Sequence, residues 1–221
     1  MKNTVIFDMD GLLVDTESIS YQLFKELAAR YQHNFTMEKY VQEYSGRSGA
    51  VNVQHLIDTY ELPISLEDGL WYVRTKEREY FQRGVELKVG AKALLHYLKK
   101  HRFKILLASS STRERAIVAL EQNQIGYYFH DMVFGTEVEH GKPHPDIFLK
   151  ACERAGEPAE CCLVLEDSEN GIQAAHSAGI DVITVPDIKV PRKQYQDMTR
   201  AVCQTLDDVI LWLEEENRVA G

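Results

Sequence analysis

Four groups of polar residues along this 221-residue chain suit one kind of chemistry if they meet. Asp8-Met9-Asp10-Gly11 sets two carboxylates two residues apart, directly after the apolar run Val5, Ile6, Phe7. Ser109-Ser110-Ser111 follows the apolar ILLA, Gly141-Lys142-Pro143 comes shortly after Met132–Phe134, and Glu166-Asp167 follows LVL. Gathered together, Asp8, Asp10, Glu166 and Asp167 would oppose one another at a cost on the order of 4 kcal/mol per close pair, for an effective dielectric of about 20. A hard divalent cation relieves that conflict, and all-oxygen ligands without His or Cys favour Mg²⁺. Lys142 adds a further positive charge, and Ser109 offers a hydroxyl donor suited to a phosphate oxygen. A metal ion, a lysine, a hydroxyl and a free carboxylate suit phosphoryl transfer with the carboxylate as nucleophile. Asp8 would attack phosphorus; Asp10 would protonate the leaving oxygen and later deprotonate the incoming hydroxyl. Gly11 would let the backbone turn away tightly. Each cluster alone is ordinary loop material, and Asp167-Ser168 alone could be a helix cap. Four in order, each after an apolar run, are hard to explain as turns.

The elements that must position these groups follow from periodicity. Phe103–Ala108, Met132–Phe134, Cys162–Leu165 and Val182–Val185 read as short buried strands, with Val5–Phe7 as one more. Between them lie helical stripes: Ala91, Leu94, Leu95, Leu98; Ile117, Leu120, Glu121 after Thr112; Ile147, Phe148, Ala151, Cys152, Ala155; and Ile172, Ala175, His176, ended by Gly179. Strands alternating with helices imply an α/β fold, a Rossmann-like parallel sheet with helices on both faces. The interval from Asp8 to Ser109 is too long for one such unit. Within it, residues 16–84 are helix-patterned (Leu23, Phe24, Leu27, Ala28, Tyr31; Val53, Leu56, Ile57, Tyr60; Trp71, Tyr72 to Phe81), with breaks at Ser45-Gly46, Leu62-Pro63 and Arg83-Gly84. The expected organisation is a core of residues 1–15 and 85–221, with a small α-helical bundle of residues 16–84 inserted as a cap over the carboxyl ends of the strands, where open α/β sheets bind ligands.

Composition excludes other classes. With 44% hydrophobic and 27% charged residues the chain is ordinary globular material. It has no apolar run of the roughly 18–20 residues that a membrane span needs, and charge directly after VIF argues against a signal peptide, so a cytoplasmic address is expected. The net charge of −9 comes without a Lys/Arg-rich block, against nucleic-acid binding. Cys152, Cys161, Cys162 and Cys203 form no CxxC pair or zinc-type cluster, and all four read as reduced. The eight histidines are scattered, with His140 and His144 the only close pair.

The stretches FDMDGLLVDTE, ASSS, GKPHPDIF and LEDSENGI resemble the motifs of the haloacid dehalogenase-like phosphotransferases, over essentially the whole chain. The helical insert is similar to the small cap of that superfamily's β-phosphoglucomutase-like branch. The resemblance implies that Asp8 is the nucleophile, that Asp10 is the general acid/base, and that Ser109 and Lys142 bind the transferring phosphoryl group, with Ser111 beside Ser109 in the substrate set. Mg²⁺ would take Asp8, the backbone carbonyl of Asp10, and Asp167, with Glu166 directly or through water; Lys142-Pro143 would be cis. Lys76 matches a cap lysine that contacts substrate, and Arg47 lies where the cap's specificity loop carries an arginine. Arg113 is placed to hold a second anionic group, and Thr16 to act at the hinge. Ser20 departs from the pattern, standing where β-phosphoglucomutases keep a histidine. The expected function is therefore Mg²⁺-dependent hydrolysis of a small phosphorylated metabolite, foremost a sugar phosphate, through an aspartyl phosphate. A sugar phosphomutase is the alternative. A receiver domain that is merely phosphorylated is more remote, since such modules have no insert after the first strand and carry the acceptor Asp on a later strand, where this sequence has Ser109. Neither nucleic acid nor membrane is an expected partner, and a monomer or weak homodimer is expected.

Overall fold

The computed structural model describes residues 2–47 and 49–219. The chain divides into two compact units, Thr16–Val85 and the pair of segments Met1–Asp15 with Glu86–Gly221. The first is helical: α1 (Thr16–Ala29), α2 (Met37–Glu43), α3 (Gly49–Tyr60) and α4 (Leu66–Arg83). Its interior is aromatic, with Tyr21, Phe24, Phe35, Tyr40 and Tyr44 all buried and their rings meeting edge-on, tilted or stacked. The sequence pattern shows breaks at 45–46, 62–63 and 83–84 but none between α1 and α2. Apolar spacing runs on through Tyr31 and Phe35 without a glycine or proline. The chain turns there with Gln32 in the left-handed region (φ 64°), and Thr36 restarts the helix by accepting a hydrogen bond from the Lys39 amide at 3.2 Å.

The second unit is the α/β fold expected from the alternation. Its strands are β1 (Thr4–Phe7), β2 (Lys104–Ser109), β3 (Asp131–Phe134), β4 (Cys162–Glu166), β5 (Asp181–Thr184) and β6 (Ala201–Val202). They form one sheet in the order β3-β2-β1-β4-β5-β6, every pair parallel. β1 and β4 are buried along their whole length, as both faces of a parallel sheet require. The helices are α5 (Ala91–Lys100), α6 (Arg113–Gln122), α7 (Asp146–Ala155), α8 (Glu169–Ser177), α9 (Lys193–Gln196) and α10 (Leu206–Val219). α7 and α8 bury Ile147, Phe148, Ala151, Ile172 and Ala175 against Ile6, Leu106, Val164 and Val182. The two-residue β6 lies below what periodicity can register. Its partner residues are Ile183 and Thr184.

Register sets up the site. Phe7 of β1 lies between Leu107 of β2 and Leu165 of β4. One residue further, Asp8, Ala108 and Glu166 reach the same level at the carboxyl ends of three adjacent strands, where ligands of open α/β sheets bind. Among the described residues, no helix is long and apolar enough to cross a membrane.

Candidate active site

Lys142 is the hub of the rim. Its side chain is 6% exposed; its ammonium donates to Asp8 Oδ1, to Glu166 Oε1 at 2.7 Å and to the Ala108 carbonyl at 3.2 Å, while lying over the Phe148 ring. The Lys142-Pro143 bond that follows it is cis. Burial alone would lower the lysine's pKa; Asp8 and Glu166 outweigh it and hold the ammonium above its ordinary value. Burial pushes the Asp8 carboxyl up to about 7. Lys142 opposes that rise, and the charges of Glu166 and Asp10 add to it.

Glu166 is buried completely. Oε1 faces Lys142, and Oε2 accepts from the Asp167 and Ser168 amides and the Ser168 hydroxyl at 2.9–3.0 Å. It thus lies beneath the first turn of α8, where backbone N–H groups favour negative charge. Ser168 also caps that helix, accepting from the Gly171 amide at 3.1 Å. Gly171 makes the approach possible, since a methyl group there would stand 1.7 Å from Glu166 Oε1.

On the other flank of β1, Asp10 is held at both oxygens. Ser111 Oγ donates to Oδ2 at 2.6 Å, and Arg115 Nη1 to Oδ1 at 2.6 Å. Ser109, fully buried at the end of β2, accepts from the Ser111 amide at 3.0 Å, so one serine of the triplet shapes the loop while the other reaches the acid. Gly11 adopts φ 81°, and a methyl there would stand 2.5 Å from Asp167 Oδ2, bringing the Asp167 carboxylate hard against the DxDG turn.

The sheet unit thus gathers Asp8, Asp10, Ser109, Ser111, Lys142, Glu166 and Asp167 on one rim. Arg113, half-exposed, turns to Glu137 at 3.1 Å and lies over Phe134. Thr16, Arg47 and Lys76 belong to the helical unit. Thr16 is buried at the first position of α1. The Arg47 amide closes onto the Tyr44 carbonyl after α2, and Lys76 pairs with Glu79 at 2.6 Å on α4.

Sequence reasoning missed four residues. Arg115 lies one helical turn beyond Ser111, a spacing that puts both on the same side of α6's start. Gly171 is five residues past Glu166, in the EDSENG run. Asp187 and its partner Lys88 (2.5 Å) complete the set. Asp187 follows the apolar run of β5, so the rule that picked out the other clusters, polar groups directly after a buried strand, applies to VITVPD as well. Burial raises the Asp187 carboxyl; Lys88 opposes the rise and Asp15 adds to it.

Acids at this rim (Asp8, Asp10, Glu166, Asp167, Asp187) outnumber the cations set among them (Lys142, Arg115, Lys88). That surplus, supplied by oxygen ligands alone, fits a hard divalent cation. Among the described residues no three of Asp, Glu, His and Cys stand as a ready ligand set. Magnesium does not require one, because it keeps several waters and is bound through one or two carboxylates. Asp8 and Glu166 share Lys142, Glu166 also engages the α8 amides, and the Asp10 side chain is held by Ser111 and Arg115.

Residues 5–185 match the family of haloacid dehalogenase-like hydrolases. The chain is 34% identical to a phosphorylated carbohydrates phosphatase of Thermotoga maritima, over 81% of this chain and 82% of that one. It is 33% identical to a Drosophila melanogaster protein described as a probable pseudouridine-5'-phosphatase, over 91% of this chain and 89% of that one. Among solved structures, a candidate β-phosphoglucomutase from Thermotoga maritima superposes with a TM-score of 0.84 at 30% identity, covering 97% of this chain and 99% of that one.

Proposed function

Because the chain belongs to the haloacid dehalogenase-like hydrolases, we propose that it hydrolyses the phosphate ester of a small metabolite, foremost a sugar phosphate, through an aspartyl phosphate on Asp8. The observation that carries this reading is the buried Asp8 carboxylate at the end of the central strand, paired with Lys142 and one strand away from Ser109. Enzymes of this family generally use Mg²⁺. Bound at Asp8 and Asp167 here, with the Asp10 carbonyl as a further candidate ligand, it would offset the charge of the incoming phosphate.

The protein's own groups divide the remaining work. Asp8 attacks phosphorus as the bond to the leaving oxygen breaks, and Asp10 delivers the proton that the departing oxygen needs. Lys142 and the Ser109 hydroxyl hold the transferring group. Water then attacks the aspartyl phosphate, with Asp10 accepting its proton. Ser111 and Arg115 orient Asp10, and Glu166 serves through Lys142, keeping the lysine charged and fixed rather than coordinating the ion itself.

Two observations favour hydrolysis over isomerisation: Ser20 stands in place of a histidine, and the curated relatives above are named as phosphatases. The test measures phosphate release from a panel of sugar and nucleoside monophosphates with Mg²⁺. Alongside it runs conversion of β-glucose 1-phosphate to the 6-phosphate with a bisphosphate primer. Release should exceed isomerisation for at least one ester. Isomerisation much faster than release of any ester would replace the phosphatase by the mutase.

A further inference from the structure

Asp187 is an acid at this rim that neither the four motifs nor the mechanism uses. It lies in the loop after β5, its side chain is 5% exposed, and Oδ1 accepts from the Lys88 ammonium at 2.5 Å. Oδ2 is buried and meets no donor in good hydrogen-bonding geometry, the Ile188 amide lying close enough to the carboxyl only to oppose the rise in its pKa. A methyl placed on Gly11 would stand 3.1 Å from that oxygen and 2.5 Å from Asp167 Oδ2, so the two carboxylate oxygens lie no more than about 5.6 Å apart. Lys88 is itself tied to the DxDG turn, its amide donating to the Leu13 carbonyl at 2.9 Å.

A buried carboxylate oxygen with no well-aligned donor is costly, and a second carboxylate close by makes it more so. Lys88 fills one oxygen of Asp187 and anchors it, but leaves the other near the Asp167 carboxylate. What that oxygen lacks is a donor coming from the Asp167 side. A magnesium ion retains waters whose protons are strong donors, and carboxylates in the outer shell orient such groups and raise affinity.

We propose that Asp187, anchored by Lys88, is an outer carboxylate of the magnesium site, its unpartnered oxygen accepting a hydrogen bond from a water carried by the ion at Asp8 and Asp167. This rests on the metal reading of the same rim. It adds a residue beyond the four motifs and gives a role to the half-buried lysine that pairs with it from the segment entering α5.

The test titrates MgCl₂ into the EDTA-treated, dialysed full chain by calorimetry. Asp187→Asn and Asp187→Ser should each weaken Mg²⁺ binding about tenfold. Asp167→Asn should abolish it, and Asp197→Asn, which removes an exposed acid of the same unit, should leave it unchanged. Thermal unfolding in EDTA identifies any variant that has lost its fold, and the serine variant answers if the asparagine one does not fold. Binding by either folded Asp187 variant within about twofold of the wild type overturns the proposal while leaving the metal reading standing. So does an equal loss in Asp197→Asn, which would mark a diffuse charge effect. A wild-type chain that takes up no Mg²⁺ overturns the metal reading and this proposal together.

Discussion

The helical unit closes over aromatic rings, whereas the sheet unit closes over aliphatic side chains and, at one rim, over charge. In the first, Phe35 is 1% exposed with Tyr44 edge-on at 4.9 Å and Tyr21 at 6.2 Å, and every residue of that cluster is neutral. In the second, Asp8, Lys142 and Glu166 are buried together at the end of β1 and β4. Apolar packing stabilises wherever it occurs. Buried ions return little net stability and are costly when separated. Charge retained inside the sheet unit is therefore explained by what it does rather than by how much it stabilises. The difference predicts that damage in the two interiors should be distinguishable by measurement.

The largest effect is expected from Lys142→Met. It leaves Asp8 and Glu166 buried and mutually repelling, so stability should fall by about 3–5 kcal/mol in urea unfolding, with phosphate release reduced at least about 10³-fold. Stability unchanged to within about 1 kcal/mol would break the contrast, because the triad would then be as dispensable as a surface ion pair. Phe35→Ala comes next. It empties the middle of the aromatic cluster and should cost about 3–5 kcal/mol, yet leave Mg²⁺ affinity at the sheet unit unaltered at temperatures where the variant is folded. A loss of Mg²⁺ affinity in that variant would show that the two interiors are not independent.

Much of this contrast is legible in the sequence, for reasons that differ between the units. The strands of the sheet unit are short apolar runs followed at once by polar clusters, and the chain order of those clusters places Asp8, Ser109, Lys142 and Glu166 on one rim. What the order of residues leaves open is which oxygen faces which donor. Glu166 reads as one more acid awaiting a cation, but it lies on Lys142 and the α8 amides because Gly171 leaves room for it. Arg113 looks like the cation nearest the serine loop, yet Arg115 is the one aimed at Asp10, a choice made by the helical phase of α6 after its Thr112 cap. In the helical unit, apolar periodicity reveals three stripes but not the turn at Gln32, since nothing in the residue types there forbids a helix.

The smallest effect sharpens the comparison inside the sheet unit itself, at the opposite ends of its strands. Glu157, after α7, accepts from Lys104 at the start of β2 at 2.6 Å and from Asn3, just before β1, at 2.9 Å. Lys104 is 44% exposed. The Lys104 and Asn3 hydrogen bonds hold the Glu157 carboxyl below its ordinary value. A carboxyl whose pKa is lower folded than unfolded contributes stability above its unfolded value and loses it as the pH falls through the folded one. Glu157→Gln should therefore lower the Tm at pH 7 by only about 1 °C. The difference from wild type should shrink towards zero as the pH is taken from 5 to 3, and also shrink in 1 M salt at neutral pH. Ion pairs at this end of the strands would then be shown to differ in kind from those around Lys142, where the same residue types are sealed from water and salt should change nothing. A Glu157→Gln penalty as large as that of Lys142→Met would mean that position along the strand, rather than burial, decides what a charge is worth in this sheet.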